Sequence, residues 1–283
     1  MIIGIDCADV DENLNPDWAK AKANAGLAYA FVRATFGAAS DVAFKQAWPA
    51  IKAVGVPRGA YLFLRYGSLH ASAEVQAAAF INTVGDLGPG DFPPVIDIEF
   101  GGNGRKLNGL GLDDVMKSIR TAWGVLNEHY GTAPMLYTSY RVWFEDLDNA
   151  PAPDLAESPL WLAKPWPWAR NNQPHLDGAF FADGQHDPAV PVPLPRNWWI
   201  HQYQGDALGF PGFSSTVDLN RFRSTSKGGT GDHVKWLQRR LGLDETGTFD
   251  DTVGDAVVAH QTANGLVADG VVGPKTFASV CWG

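Results

Sequence analysis

Short apolar runs bounded by turn residues recur through the first 222 residues. Runs at 2–6, 28–34, 59–64, 95–99, 135–138, 160–163, 198–203 and 216–219 have the length and composition of strands. Longer stretches with helical character separate the early ones, at 16–24, 42–54, 71–84 and 112–129. Pro16 and Asp113 stand near helix starts, where a fixed φ and a negative charge are favoured. Strands alternating with helices predict parallel βαβ units, and eight strand candidates predict an α/β fold, an irregular TIM-like β/α barrel. The later strands have poor helices between them, so the irregularity falls in the second half.

Residues 164–196 break the pattern. Pro165, Pro167, Pro174, Pro188, Pro191, Pro193 and Pro195 exclude a helix or a central strand there. Trp166, Trp168, Phe180 and Phe181 predict a packed loop that walls a cleft. Residues 223–231, rich in Gly, Ser and Thr, read as a flexible linker. The remainder, 232–283, contains helical patterns at 234–241 and 253–264 and a near-repeat of glycine turns at Gly247 and Gly270. It predicts a small three-helix all-α domain. The expected organisation is a barrel over 1–222, a linker, and a separable helical unit with a small interface.

The chain has 283 residues and 45% hydrophobic residues, enough for a barrel core and a satellite domain. Its net charge of −9 argues against a nucleic-acid partner, which requires clustered Lys and Arg. A basic amphipathic stripe and a membrane-length apolar run are both missing, so no membrane insertion is expected. The start lacks the basic n-region of a signal peptide. Cys7 and Cys281 form neither a disulfide framework nor a metal cluster, and Cys7 is expected to be a buried thiol. The seven His show no metal-binding spacing and Gly-x-Ser-x-Gly does not occur, so no metal, cofactor or serine nucleophile is expected. Eleven Trp exceed what a core alone requires, and some can serve as flat surfaces for sugar rings.

The chemical signal is Val95-Ile96-Asp97-Ile98-Glu99. Positions i and i+2 of a strand share a face, so Asp97 and Glu99 point into one space while Ile96 and Ile98 point towards the helix layer. Active sites of such barrels lie at the C-terminal ends of the strands. Paired carboxylates repel, which raises one pKa and supplies an acid, the arrangement glycoside hydrolysis uses. The triplet also fits two solvated strand-end charges or a cation ligand. Asp6 and Asp218 end the first and last strand candidates, which are neighbours in a closed barrel, so four acids are expected around one pocket.

Eight motifs in order, Gly4-Ile5-Asp6, Val32-Arg33-Ala34-Thr35, Gly59-Ala60-Tyr61-Leu62-Phe63, Pro94 to Glu99, Leu136-Tyr137-Thr138, Leu160-Trp161-Leu162-Ala163, His201-Gln202-Tyr203 and Val217-Asp218-Leu219-Asn220, resemble glycoside hydrolase family 25. These are the Chalaropsis-type lysozymes, N-acetylmuramidases with an irregular β/α barrel. The C-terminal unit resembles the three-helix peptidoglycan-binding domain. Together, without a signal peptide, the two look like a phage endolysin that reaches the wall after holin-type release. The resemblance implies Glu99 as general acid and Asp97 as nucleophile or as the group orienting the substrate N-acetyl. It implies Asp6 and Asp218 as further members of the acidic ring, and Arg33, Tyr61, Tyr137, Trp161, Gln202 and Tyr203 as sugar contacts. The implied partner is the glycan strand of bacterial peptidoglycan, bound by a monomer. Three departures stand out: Leu62 where the family has His, Phe36 where it has Glu, and His260 where the binding domain commonly has an aromatic. A non-catalytic wall-binding protein and a chitin-directed hydrolase are the alternative readings.

Overall fold

The computed structural model describes residues 1–8, 15–100, 106–164, 188, 190, 194 and 197–282. The expected packed loop at 164–196 lies almost wholly outside the described residues. Nine strands occur in chain order: β1 (Ile3–Cys7), β2 (Tyr29–Phe36), β3 (Ala39–Ser40), β4 (Arg58–Phe63), β5 (Val95–Asp97), β6 (Met135–Ser139), β7 (Leu160–Ala163), β8 (Trp198–Ala207) and β9 (Val217–Phe222). The helices of the first part are α1 (Trp18–Ala25), α2 (Phe44–Ala53), α3 (Ala73–Val84) and α4 (Leu112–Tyr130). All eight strand runs and all four helical runs predicted from the pattern correspond to elements.

The sheet order is β1-β9-β8-β7-β6-β5-β4-β2-β3, and β1 also pairs with β2. Eight strands therefore close into a barrel, with β3 a two-residue hairpin on β2. Seven barrel strands run parallel, and β9 runs antiparallel to both β1 and β8. The reversal follows from the connection. Only residues 208–216 join β8 to β9, with no helix among them, and a parallel return requires a crossover of a dozen residues or more. The expectation of parallel units holds for the first seven barrel strands and is corrected for the last.

Helix ends follow local chemistry. Asp17 caps α1 by accepting from Lys20 N at 2.9 Å, Ser72 caps α3, and Gly131 ends α4 in the left-handed conformation. The apolar faces of the helices pack on the outside of the barrel, where Ile96 and Ile98 join them as predicted. Inside, Tyr29, Phe31, Val95, Met135 and Trp161 fill the lower layers. Gly4 and Gly59 make this filling possible. A Cβ at Gly4 would stand 2.2 Å from the Tyr29 ring, and one at Gly59 2.1 Å from the Phe31 ring.

The C-terminal unit has three helices, α5 (Asp232–Arg240), α6 (Asp251–Ala263) and α7 (Pro274–Val280). Its near-repeat is one device used twice. Buried Gln238 accepts from Gly247 N at 2.8 Å and donates to Thr248 O at 3.1 Å. Buried Gln261 accepts from Gly270 N at 2.9 Å and donates to Val271 O at 3.0 Å. In each copy a helix side chain satisfies the glycine turn that leads into the next helix.

The expected flexible linker and small interface are corrected by the structure. Thr225 exchanges two backbone hydrogen bonds with Val272, and Gly228 and Gly231 N donate to Phe249 O and Gly247 O. The helical unit seats against the end of the barrel where the parallel strands begin. Phe277 lies 4.7 Å from Trp199, 5.7 Å from Phe92 and 5.6 Å from Phe222 between ring centroids. Trp236 and Trp282 donate their indole N–H groups to Glu157 O and Asp91 O, and Thr132 donates to Cys281 O at 2.7 Å. The register of β8 against β7 skips Trp199, and this bulge sends the ring down into the junction. Glycine and serine content describes what the linker backbone can do in isolation; here its backbone hydrogen bonds to the helical unit, and the aromatic contacts between that unit and the barrel, decide what it does.

Candidate active site

The opposite mouth of the barrel holds a cavity of about 150 Å³ lined by Asp6, Arg33, Tyr61, Asp97, Glu99, Tyr137, Trp161, Gln202 and Asp218, with Ala8 and Phe63. Nine of the ten residues expected at the site are brought together there. The tenth, Tyr203, lies elsewhere. It is fully buried in the outer core with Ile3 and Leu219. Successive strand residues point to opposite faces, so Gln202 in the cavity places Tyr203 on the far side of β8. Leu62 is likewise turned outwards, into the helix layer, while its neighbour Tyr61 faces the cavity.

Asp6 and Asp97 sit on β1 and β5, and Glu99 stands just past the end of β5, where Ile98 N still donates to Tyr137 O. Asp218 is the second residue of β9, not its last. Because β9 is reversed, its N-terminal end meets the C-terminal ends of the others, with Asp6 opposite Asp218.

The acids are held unequally. Gln202 Nε2 donates to Asp6 Oδ1 at 3.1 Å and to Asp218 Oδ2 at 3.0 Å, and its Oε1 accepts from Tyr137 Oη at 2.8 Å. Asn220 donates to Asp6 Oδ1 at 2.7 Å and accepts from Trp161 Nε1 at 2.7 Å. Asp206 N donates to Asp218 Oδ1 at 2.8 Å. By contrast, Asp97 Oδ1 is buried and receives no hydrogen bond from the described residues. Burial raises the Asp97 carboxyl well above the ordinary range, with further contributions from Glu99 and Asp6 and an opposing one from Arg33. Burial also raises Glu99, opposed by Arg141 and Arg33. Burial is the larger cause for both carboxyls, and the repulsion expected from their pairing adds to it at Asp97.

Arg33 is fixed from behind by Asp41, which accepts from its Nε at 2.9 Å and from Ala43 N at 3.0 Å. Asp41, Asn220 and Arg141 were not singled out from sequence. Asn220 had a signal, since it shares a strand face with Asp218 two residues earlier. Asp41 and Arg141 had none, because they stand outside the strands, Asp41 just after β3 and Arg141 at the start of the helical turn after β6. Among the described residues no group of three or more His, Cys, Asp or Glu is placed to hold a metal ion.

A closed barrel with a buried Asp97 and a half-buried Glu99 paired at its C-terminal mouth defines a chemistry but not a lineage. The family model for glycosyl hydrolases family 25 matches residues 5–209. The chain belongs to this family. A model for a peptidoglycan binding domain matches residues 230–280. Among solved structures, a bacterial lysozyme from Streptomyces coelicolor superposes with a TM-score of 0.62 at 23% identity, covering 78% of this chain and 92% of that one. A family 25 glycosyl hydrolase from Bacillus anthracis gives 0.59 at 27% identity, covering 78% and 88%. A muramidase from Acremonium alcalophilum gives 0.61 at 23% identity, covering 79% and 94%. No curated protein matches the chain significantly. The chain is thus a family 25 glycoside hydrolase fused to a peptidoglycan-binding domain, with the irregular barrel that the motifs implied.

Proposed function

We propose that the chain hydrolyses the β-1,4 bond between N-acetylmuramic acid and N-acetylglucosamine in bacterial peptidoglycan, as a cell-wall lytic enzyme. The observation that carries the proposal is the Asp97–Glu99 pair: two carboxyls lining one sugar-sized cavity, on a chain with a peptidoglycan-binding domain. Glu99 is the general acid. Its burial keeps a proton available for the leaving glycosidic oxygen, and it later takes one from water. Asp97 Oδ1, with no donor among the described residues, is the oxygen that meets the substrate, attacking the anomeric carbon or accepting the N-acetyl N–H. Tyr61, Tyr137 and Trp161 supply the walls against which the sugar packs. The chain works as a monomer on the wall, outside the membrane. An endolysin role fits this reading.

The test is product analysis. Digestion of purified peptidoglycan followed by borohydride reduction and mass analysis should yield muramitol ends. Glucosaminitol ends, or no soluble fragments, would overturn the assignment of the bond.

A further inference from the structure

The catalytic cavity has room for about one pyranose ring, yet the proposed substrate is a polymer. Contacts made equally in the ground and transition states lower KM without changing kcat, so sugar-binding surfaces along the rim of the cavity would tighten the binding of a long substrate. Large exposed aromatics close to a cleft are the features that mark them.

One such surface stands where β6 leaves the barrel. Tyr137 on β6 lines the cavity. Three residues later Tyr140, 40% exposed, stacks on Phe144, 48% exposed, with ring centroids 5.2 Å apart and planes 14° from parallel. Three residues span about 10 Å at most, so the pair begins within a short reach of the cavity. Phe144 lies on a π-helix, Val142–Asp146, that begins two residues after Tyr140 and is closed by Leu147 N donating to Val142 O at 3.0 Å. Such turns are rare and concentrate at functional sites. Ser139 Oγ anchors the segment by accepting from Val142 N, and Arg141 Nη1 donates to Asp146 Oδ2 at 3.1 Å, one π-turn on. Arg141 also lies close enough to Glu99 to lower its pKa. The same short segment therefore faces the acid with a cation and faces solvent with two parallel rings.

We infer that Tyr140 and Phe144 form a distal glycan subsite, stacking a pyranose ring of the same strand beyond the sugar held in the cavity. The inference rests on the polysaccharide substrate proposed above. An aromatic pair whose edges and outer faces stay in water at this position suits the C–H face of a sugar, and the Arg141–Asp146 pair beside it suits ring hydroxyls.

The test compares the parent with the Tyr140→Ala/Phe144→Ala double variant in steady-state hydrolysis of a muropeptide-free tetrasaccharide and of long uncrosslinked glycan chains. The expected result is a KM on long chains raised about tenfold, with a smaller rise on the tetrasaccharide and kcat retained. Phe144→Trp, which keeps a stacking surface, should retain the parental KM. An unchanged KM on long chains would overturn the inference. So would a loss of kcat equal on both substrates with a lowered melting temperature, which marks a structural role. Failure of the parent to cleave either glycan would instead overturn the proposed function.

Discussion

Asp6 and Asp218 face each other across the antiparallel pair of β1 and β9, and one Gln202 amide group donates to both. Two carboxylates at adjacent positions repel, and the bridging amide, with Asn220 on Asp6 and Asp206 N on Asp218, offsets that repulsion by direct hydrogen bonding. These two acids are a framework for the cavity, distinct from Asp97, whose Oδ1 has no such partner among the described residues.

Gln202→Leu tests this division. It removes the shared donor from two acids and the acceptor from Tyr137 Oη while keeping similar volume. A lost hydrogen bond to a charged group costs about 1.5–3 kcal/mol. Thermal or denaturant unfolding should show a loss of that order or somewhat above it, and the loss should shrink in an Asp218→Asn background, where the repulsion is already relieved.

Substitution of the catalytic pair should separate chemistry from folding. Glu99→Gln preserves size and hydrogen bonding but has no transferable proton, and general acid help is worth about 10²–10⁴ in rate. The variant should bind peptidoglycan, melt no lower than the parent, and turn over more slowly by that factor. Asp97→Asn should be crippled as well. A Glu99→Gln chain with near-parental kcat would place the acid on another residue.

The pH dependence of stability follows from Asp97. Its folded pKa lies above the unfolded value, so between the two the folded state binds more protons than the unfolded one. Stability is therefore lost as pH rises from about 4, the unfolded aspartate value, through the folded pKa, at about 1.4 kcal/mol per pH unit while the difference persists. Glu99 is raised too and adds in the same direction. Asp97→Asn removes the larger contribution. Melting curves between about pH 4 and pH 8 should show the parent falling relative to Asp97→Asn, with the variant the more stable at neutral pH. Parallel curves would mean that Asp97 ionises in the folded chain at its unfolded value, with no penalty from burial.

The sequence made the barrel legible because its strands are short apolar runs separated by turns, and the pattern survives burial. The acid pair was legible because i and i+2 on a strand share a face whatever the surroundings. Three features depended on tertiary context. The direction of β9 is set by the short connection at 208–216, which composition did not reveal. Tyr203 was grouped with Gln202 by motif, although alternation along a strand separates them. The linker was read from its glycines, while the rings that join the helical unit to the barrel, Trp199, Phe222, Trp236 and Phe277, lie far apart along the chain.

That junction makes a prediction opposite to the one the linker suggested. Phe277 is fully buried and meets Trp199, Phe92, Phe222 and Trp236, so it belongs to the base of the barrel as much as to its own helix. Deleting a buried aromatic ring costs about 3–5 kcal/mol when the site cannot collapse, and a junction walled by four other rings has little freedom to do so. Phe277→Ala should therefore lower the melting temperature of the whole chain in a single transition, as seen by calorimetry, because barrel and helical unit share one apolar cluster. Truncation after Phe222 should expose Trp199, Phe92 and Phe222 as one apolar patch and leave a barrel that aggregates on heating well below the melting temperature of the full chain. Two independent transitions in the intact protein, with the first unaffected by Phe277→Ala, would show that the two parts fold separately and that the rings between them contribute little.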